Sequence, residues 1–408
     1  MKEIESIDNK YIILEKKGSG GYSKVFVVKP FNSEEKYVAK VLKVKSTIED
    51  IKEMEKLYDN EIKILKFLQN NIKNSYIVNL KDNGTGEIIR NNRPKTINNY
   101  LILDYAEKGS LYNYIYHPKI GFPEKYSKLI FYKILCGLKA LHSKNICHRD
   151  IKLENILLDN NYNPIICDYG FATFNSDTLL ESLGTRKYAA PEILKNEPYN
   201  GFEIDIFSLG VTLFILSIGF PGFFEASLRD KNYTYIRYGL QTSYWEYIEK
   251  IAELKRIQLP TLSKDFKKLF FKMVSHDPEK RYTIDKILNS KWMEDIKNLK
   301  QKEIEDLEIE IKKEFEKREI IIKENLEKKI QINEESSELG SIRSGEEEIE
   351  EIFDRNLEPK SIDNEKGMNN YIKIKGNINP VNFMNKLINQ IYKHFDNQCN
   401  IENSKNSL

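Results

Sequence analysis

Apolar and polar residues alternate along three early segments, 11–18 (YIILEKKG), 23–30 (SKVFVVKP) and 36–43 (KYVAKVLK), all rich in β-branched residues. Period-two patterning of this kind predicts half-buried strands, split here by a glycine-rich turn and by the polar stretch PFNSEE. Over 48–69 the period lengthens: Ile51, Met54, Leu57, Tyr58, Ile62, Leu65 and Leu68 recur at three- and four-residue spacing, which predicts an amphipathic helix. Strand-like patterns return in IVNLKDNG and NNYLILDYA, separated by a polar loop (EIIRNNRPKTINN) that begins at Glu87. Helical spacing dominates from Leu111 to His142, a short strand-and-loop region follows from Ile146 to Phe174, and helices resume from Pro191 to Trp292. A small β-rich half followed by a larger helical half predicts an α+β unit of two lobes.

The C-terminal third reads differently. Residues 293–335 are a charged helix in which Ile304, Leu307, Ile311, Phe315, Ile322, Leu326 and Ile330 mark one face. Their spacing is about 3.7 residues per turn, above the 3.5 of a left-handed coiled coil. The expected use is packing of one stripe on a neighbour, with coiled-coil self-association as the alternative. Residues 336–366 are acidic and poor in apolar groups, the composition of a disordered linker. Residues 367–408 end in a small strand–helix element, with Tyr371 to Gly376 as strand and turn and a helix from Pro380.

Composition narrows the function classes. The 408 residues are 40% apolar and 31% charged, and 64 basic against 62 acidic groups leave a net charge of +2. A dedicated nucleic-acid binder carries a strong basic excess, so none is expected as partner. The balance is uneven: residues 1–292 carry 45 basic and 36 acidic groups, a net +9, and the acidic groups concentrate in 293–366. The acidic stretch 336–366 is able to fold back on the basic body, although a solvated linker is the simpler expectation. Cys136, Cys147, Cys167 and Cys399 show no paired spacing, which suits a reducing, cytoplasmic setting. Ile206 to Phe224 is uncharged, but Gly219, Pro221 and Gly222 interrupt it, so a buried core helix is expected and no transmembrane segment.

Candidate chemistry begins at Gly18-Ser19-Gly20-Gly21-Tyr22-Ser23-Lys24-Val25, between two strands. Glycines let a backbone approach phosphate oxygens closely and aim N–H groups at them. A strand follows the run, so it is not a dinucleotide-binding fingerprint, which needs a helix there. Lys40 lies fifteen residues after Val25 in an apolar strand, and Glu61 twenty-one residues later on the predicted helix. The densest cluster is His148-Arg149-Asp150-Ile151-Lys152-Leu153-Glu154-Asn155, then Asp168-Tyr169-Gly170, then GTRKYAAPE from Gly184 to Glu192, then Asp205 in DIFSLG.

In this order and spacing, residues 10–293 resemble the eukaryotic protein kinase family. Lys152, two after Asp150, together with Gly184-Thr185 before Tyr188, resembles its serine/threonine branch. The layout is similar to the calcium/calmodulin-dependent kinase-like group, although no EF-hand spacing is present. The resemblance implies a two-lobed protein kinase fold, with a small lobe over 10–104 and a large lobe over 105–293. It also implies ATP and Mg²⁺ as cofactors and protein serine or threonine hydroxyls as substrates. Lys40, held by Glu61, would grip the phosphates under the loop Gly18, Ser19, Gly20, Gly21, Tyr22 and Ser23. Val25 and Val38 would roof the adenine, Leu157 would floor it, and Leu103, Asp104 and Ala106 would line the hinge. Asp150 would orient the substrate hydroxyl, Lys152 would neutralise the transferred group, and Asn155 and Asp168 would hold the metal. Glu192 and Arg281 would tie the activation segment to the large lobe, and Asp205 would cap the catalytic-loop backbone.

Departures from the family pattern are Ser23 for the third glycine, Tyr169 for phenylalanine after the metal aspartate, and Phe207 for tryptophan. None removes a charge from the chemistry, so an active enzyme is expected rather than a nucleotide-binding scaffold. Arg149 in this family meets an activation-loop phosphate; here the matching position holds Glu181, a carboxylate able to imitate it in part. The alternative is phosphorylation of Ser182 or Thr178, with Thr185 completing the segment. Residues 371–388 weakly resemble the strand–helix part of kinase-associated-1 domains, implying a lipid or intramolecular contact by the C-terminal element.

Overall fold

The computed structural model describes residues 5–338, apart from short breaks at 20–22, 44–46, 91–92, 117, 119, 176–177 and 255. The chain divides into two units, Met1–Ser344 and Gly345–Leu408, and all described residues belong to the first. The acidic stretch beyond Glu338 and the element at 367–408 lie outside them.

Strands β1 (Ser6–Ile7), β2 (Tyr11–Ser19), β3 (Ser23–Pro30), β4 (Tyr37–Leu42), β5 (Leu80–Arg90) and β6 (Arg93–Asp104) close into a barrel of order β1-β2-β3-β4-β6-β5. Their alternation sorts two faces. Phe26, Val28, Ala39, Val41, Tyr100 and Ile102 fill the barrel with Ile7 and Ile88. The intervening residues Val25, Val38, Lys40, Leu101 and Leu103 therefore face the other way. Register sets Lys40 opposite Val25 on one side and Leu101 on the other.

Two features depart from the sequence reading. The stretch expected as a polar loop from Glu87 is strand: Gly86 pairs with Ile97, Ile88 with Lys95 and Arg90 with Arg93. The two-residue β1, in a segment too polar to show a period, closes the barrel by pairing Ser6 with Ile89 and Ile7 with Ile88. Side-chain polarity hides both, because ladder hydrogen bonds belong to the backbone.

Helix α1 (Ile48–Asn71) starts where Thr47 Oγ1 accepts from the Asp50 amide at 3.2 Å, with Glu49 and Asp50 in its first turn favouring the dipole. Its stripe, including Tyr58, Leu65 and Leu68, joins the main core. In the large lobe, α2 (Glu124–His142) and α3 (Gly201–Ile218) form the centre. Asn200 caps α3 through the Phe202 amide at 2.9 Å, and Gly219 (φ 93°) ends it in the left-handed conformation. Among the described residues α3 is the one helix long and apolar enough to cross a membrane; 83% of it is enclosed by the lobe.

The charged C-terminal helix, α4, runs Gln301–Glu338. It begins later than its charge pattern predicts, because residues 291–298 form a 3-10 turn and a short helix that bury Trp292, Met293 and Ile296. Leu307, Ile311 and Phe315 pack into the large-lobe core, with Ile304 and Ile322 at its margin. The side chain of Ile330 lies outside the described residues, and Leu326 is exposed.

Candidate active site

Strand β4 presents Lys40 and helix α1 presents Glu61 to the same point. Lys40 Nζ lies 2.9 and 2.8 Å from the two Glu61 oxygens and 2.9 Å from Asp168 Oδ1. Burial alone would lower the Lys40 pKa, but the two carboxylates outweigh it and raise it, so the ammonium stays charged. Burial likewise works against the Asp168 carboxylate; the Lys40 ammonium reverses this and holds it below the ordinary range. Asp168 takes a positive φ of 67°, which turns its carboxylate toward the strand lysine.

The second cluster is built on the turn His148–Asn155. Asp205, buried near the start of α3, accepts from the backbone amides of His148 (2.8 Å) and Arg149 (2.7 Å) and from His142 Nε2 (2.9 Å). Those bonds fix the bend that allows Arg149 its φ of 65°. Asp150 Oδ2 then meets Lys152 Nζ at 2.7 Å and Asn155 Nδ2 at 2.9 Å, while its Oδ1 accepts from the Thr185 amide and hydroxyl, both at 2.9 Å. Lys152 also donates to Thr185 Oγ1 at 2.6 Å. Gly184 lets this segment pass close: at φ 99° a Cβ there would sit 2.7 Å from the Arg149 carbonyl oxygen.

The activation segment is held at a second place. Arg149 donates from Nη1 to Glu181 Oε2 at 3.0 Å and to the Tyr199 hydroxyl at 3.2 Å, and from Nε to the Phe171 carbonyl at 2.7 Å. Lys56, on α1, lies 3.6 Å from the other Glu181 oxygen. The bond from Arg149 is the main reason the Glu181 carboxyl titrates below its ordinary range. Ser182 donates to the Ile193 carbonyl at 3.3 Å, and Thr178 is exposed. Glu192 and Arg281 form a buried bidentate pair at 2.5 and 2.7 Å.

Between the lobes, Val38 pairs with Leu103 and Tyr37 with Asp104, so the segment Asp104–Ala106 continues β6 along the cleft. Val25 faces Gly18 and Lys40 across the strands, and Leu157 pairs with Ser110 in the strand Ile156–Leu158 of the large lobe. Ser19 ends β2 and Ser23 begins β3; Gly20, Gly21 and Tyr22 between them lie outside the described residues. The departures noted in the sequence are accommodated. The buried Tyr169 hydroxyl donates to the Ile166 carbonyl at 3.1 Å, and Phe207 packs under the Arg281 guanidinium at 5.0 Å.

For magnesium, the relevant oxygens are those of Asp168 and Asn155. The Asn155 amide nitrogen is spent on Asp150, which orients its carbonyl oxygen as an acceptor. No cluster of three or more His, Cys, Asp or Glu able to hold an ion exists among the described residues. One carboxylate and one amide oxygen fit a cation that takes its remaining oxygens from phosphate and water.

Arg318 and Glu319 were not legible as functional from the sequence. They interrupt the apolar stripe of α4 between Phe315 and Ile322, and only that seven-residue gap, which holds the buried Arg318 and the part-exposed Glu319, signals their place there.

A family model described as protein kinase domain matches residues 11–293. Among curated proteins, NUAK family SNF1-like kinase 1 of Homo sapiens is 31% identical over 296 residues, covering 71% of this chain and 39% of that protein. The probable serine/threonine-protein kinase MARK-B of Dictyostelium discoideum is 33% identical over 289 residues, covering 69% and 36%. CBL-interacting protein kinase 26 of Oryza sativa subsp. japonica is 32% identical over 209 residues, covering 49% and 39%. The chain thus spans about two fifths of the length of these relatives. With the matched domain covering Lys40 to Arg281 and all that the geometry assembles there, the chain belongs to the protein kinase family, on its serine/threonine side.

Proposed function

We propose that this chain transfers the γ-phosphate of Mg-ATP to serine or threonine hydroxyls of proteins in the cytoplasm. The observation that carries the reading is the convergence on one cleft of Lys40–Glu61–Asp168 and Asp150–Lys152–Asn155–Thr185, every contact between 2.6 and 2.9 Å. Phosphoryl transfer asks a protein for positioning and charge neutralisation more than covalent chemistry, and these residues supply both. Lys40 is charged, rigidly held and reachable from the cleft, as a phosphate anchor must be. Asp150 holds the position from which a substrate hydroxyl is oriented and its proton accepted. Lys152 offers a second cation beside the transferred group. Magnesium, when bound at Asp168 and Asn155, supplies charge neutralisation at the phosphate oxygens. The hinge Leu103–Ala106 with Val25, Val38 and Leu157 provides the apolar slot for adenine.

Glu181 takes the part of a loop phosphate in this reading. It is supported by the contact with Arg149 and by the approach of Lys56, which together link the activation segment, the catalytic turn and α1. The enzyme is then poised for activity without loop phosphorylation.

The direct test is transfer from Mg-ATP to a degenerate serine/threonine peptide library, with wild type beside Asp150→Asn. Transfer by wild type that falls by about 10³-fold or more in the variant is expected for loss of the orienting carboxylate. ATP binding without transfer by either protein would instead favour a nucleotide-binding scaffold.

A further inference from the structure

Where the apolar stripe of α4 meets the large lobe, between Phe315 and Ile322, it carries the buried Arg318 and the part-exposed Glu319. Arg318 is 3% exposed. Its guanidinium donates to the carbonyls of Tyr114 (2.9 Å), Ile120 (2.6 Å) and Gly121 (2.8 Å) and to Glu314 (3.0 Å). It lies 3.7 Å from the centre of the Phe122 ring. A cation this deep is tolerated only when its donors are satisfied, and the planar fork of arginine suits a row of carbonyls. Next to it, Glu319 Oε1 sits 3.1 Å from Lys108 Nζ, 2.8 Å from the Tyr114 hydroxyl and 2.9 Å from the Tyr162 hydroxyl. Phe315 stacks on Tyr162 at 4.8 Å and meets Tyr114 edge-on at 5.1 Å, completing the seat.

What Glu319 grips is the chain leaving the hinge. Lys108 follows Ala106 by two residues, and its amide donates to the Leu158 carbonyl at 3.1 Å. Gly109 returns a bond to the Ala106 carbonyl (3.1 Å), and Gly109 and Ser110 pair with Leu158 and Leu157. The Ser110 hydroxyl lies 3.0 and 3.3 Å from the carbonyl oxygens of Leu153 and Glu154. The segment 106–110 thus bridges the hinge, the strand that carries Leu157 and the turn that carries Asn155.

We infer that Glu319, seated by Arg318 and Phe315, is a positioning residue for ATP. By holding Lys108 from outside the cleft, it sets the spacing between the hinge and Leu157 that receives the adenine ring. Helix α4 is then a working part of the catalytic domain, although it lies beyond the residues matched by the family model. This inference rests on the reading of the hinge as the ATP site.

The test uses the full chain. Glu319→Gln keeps the side-chain volume and removes the charge that Lys108 answers. Lys108→Met breaks the same contact from the other side, so one variant serves if the other fails to fold. Each is expected to raise KM for ATP about fivefold with kcat within about twofold of wild type, the size of effect one charge-assisted hydrogen bond allows. The double variant should be no worse than either single one, as expected for two halves of one contact. A merely structural role would lower the melting temperature and leave KM for ATP unmoved; that result, or additive effects of the two substitutions, overturns the inference. A wild type with no saturable dependence on Mg-ATP overturns the kinase reading itself, and is seen before any variant is made.

Discussion

Single residues in this protein are legible to the extent that their chemistry is fixed by neighbours. Lys40, Glu61, Asp150, Asn155 and Asp168 were marked by residue type and order in the sequence, and the fold brings all five to one cleft. His276 was not marked, because nothing beside it in the sequence announces its surroundings. It lies against Arg237, with its Nδ1 3.1 Å from the Tyr233 hydroxyl. Burial first, and the nearby Arg237 cation second, lower its pKa from 6.5 to about 4. The unfolded chain therefore takes up a proton below about pH 6.5 that the folded protein refuses until about pH 4, so stability is lost as pH falls through that window. Melting temperature is expected to drop more for wild type than for His276→Gln between about pH 7 and about pH 5. Equal drops would show that His276 is solvated like an ordinary histidine.

Elements were legible where side chains alternate with a clear period. The α1 stripe and the uncharged run Ile206–Ile218 of α3 announced themselves, and their ends follow from Thr47, Asn200 and Gly219. The β5–β6 hairpin beyond Gly84 did not, because its pairing is a backbone property and most of its residues are polar, with Ile88, Ile89 and Ile97 too few to show a period. In α4 the stripe was visible but the buried Arg318 and the part-exposed Glu319 within it were hidden by their charge, since a sequence pattern counts arginine and glutamate as solvent-facing. Phe315 is the fully buried centre of that contact, touching Tyr114, Phe122 and Tyr162. Truncating it to alanine should cost about 3–5 kcal/mol of stability in urea unfolding, as for other buried phenylalanines. A cost near zero would mean that α4 is not docked on the lobe in solution.

At the scale of the whole molecule, three tethers hold the catalytic geometry together. Lys40–Glu61 joins the barrel to α1, Arg149–Glu181 joins the catalytic turn to the activation segment, and Glu192–Arg281 anchors that segment to the large lobe. The last is fully buried, so Arg281→Met leaves an uncompensated carboxylate and should cost about 3–5 kcal/mol. Replacing both partners with apolar residues should recover much of that loss, whereas an equal loss in the double variant would contradict the account of Arg281 as a partner for Glu192.

The central claim is that this chain is a protein kinase whose active geometry is assembled by its own side chains, with Glu181 standing where a phosphate would otherwise be needed. The measurement that bears on it most directly is the initial rate of phosphate transfer to serine/threonine peptides by full-length, bacterially expressed and phosphatase-treated protein, with Glu181→Ala run alongside. Robust transfer by the treated wild type, reduced severalfold in the variant, is the predicted result. Silence of the treated wild type, or equal rates for the two proteins, would contradict it.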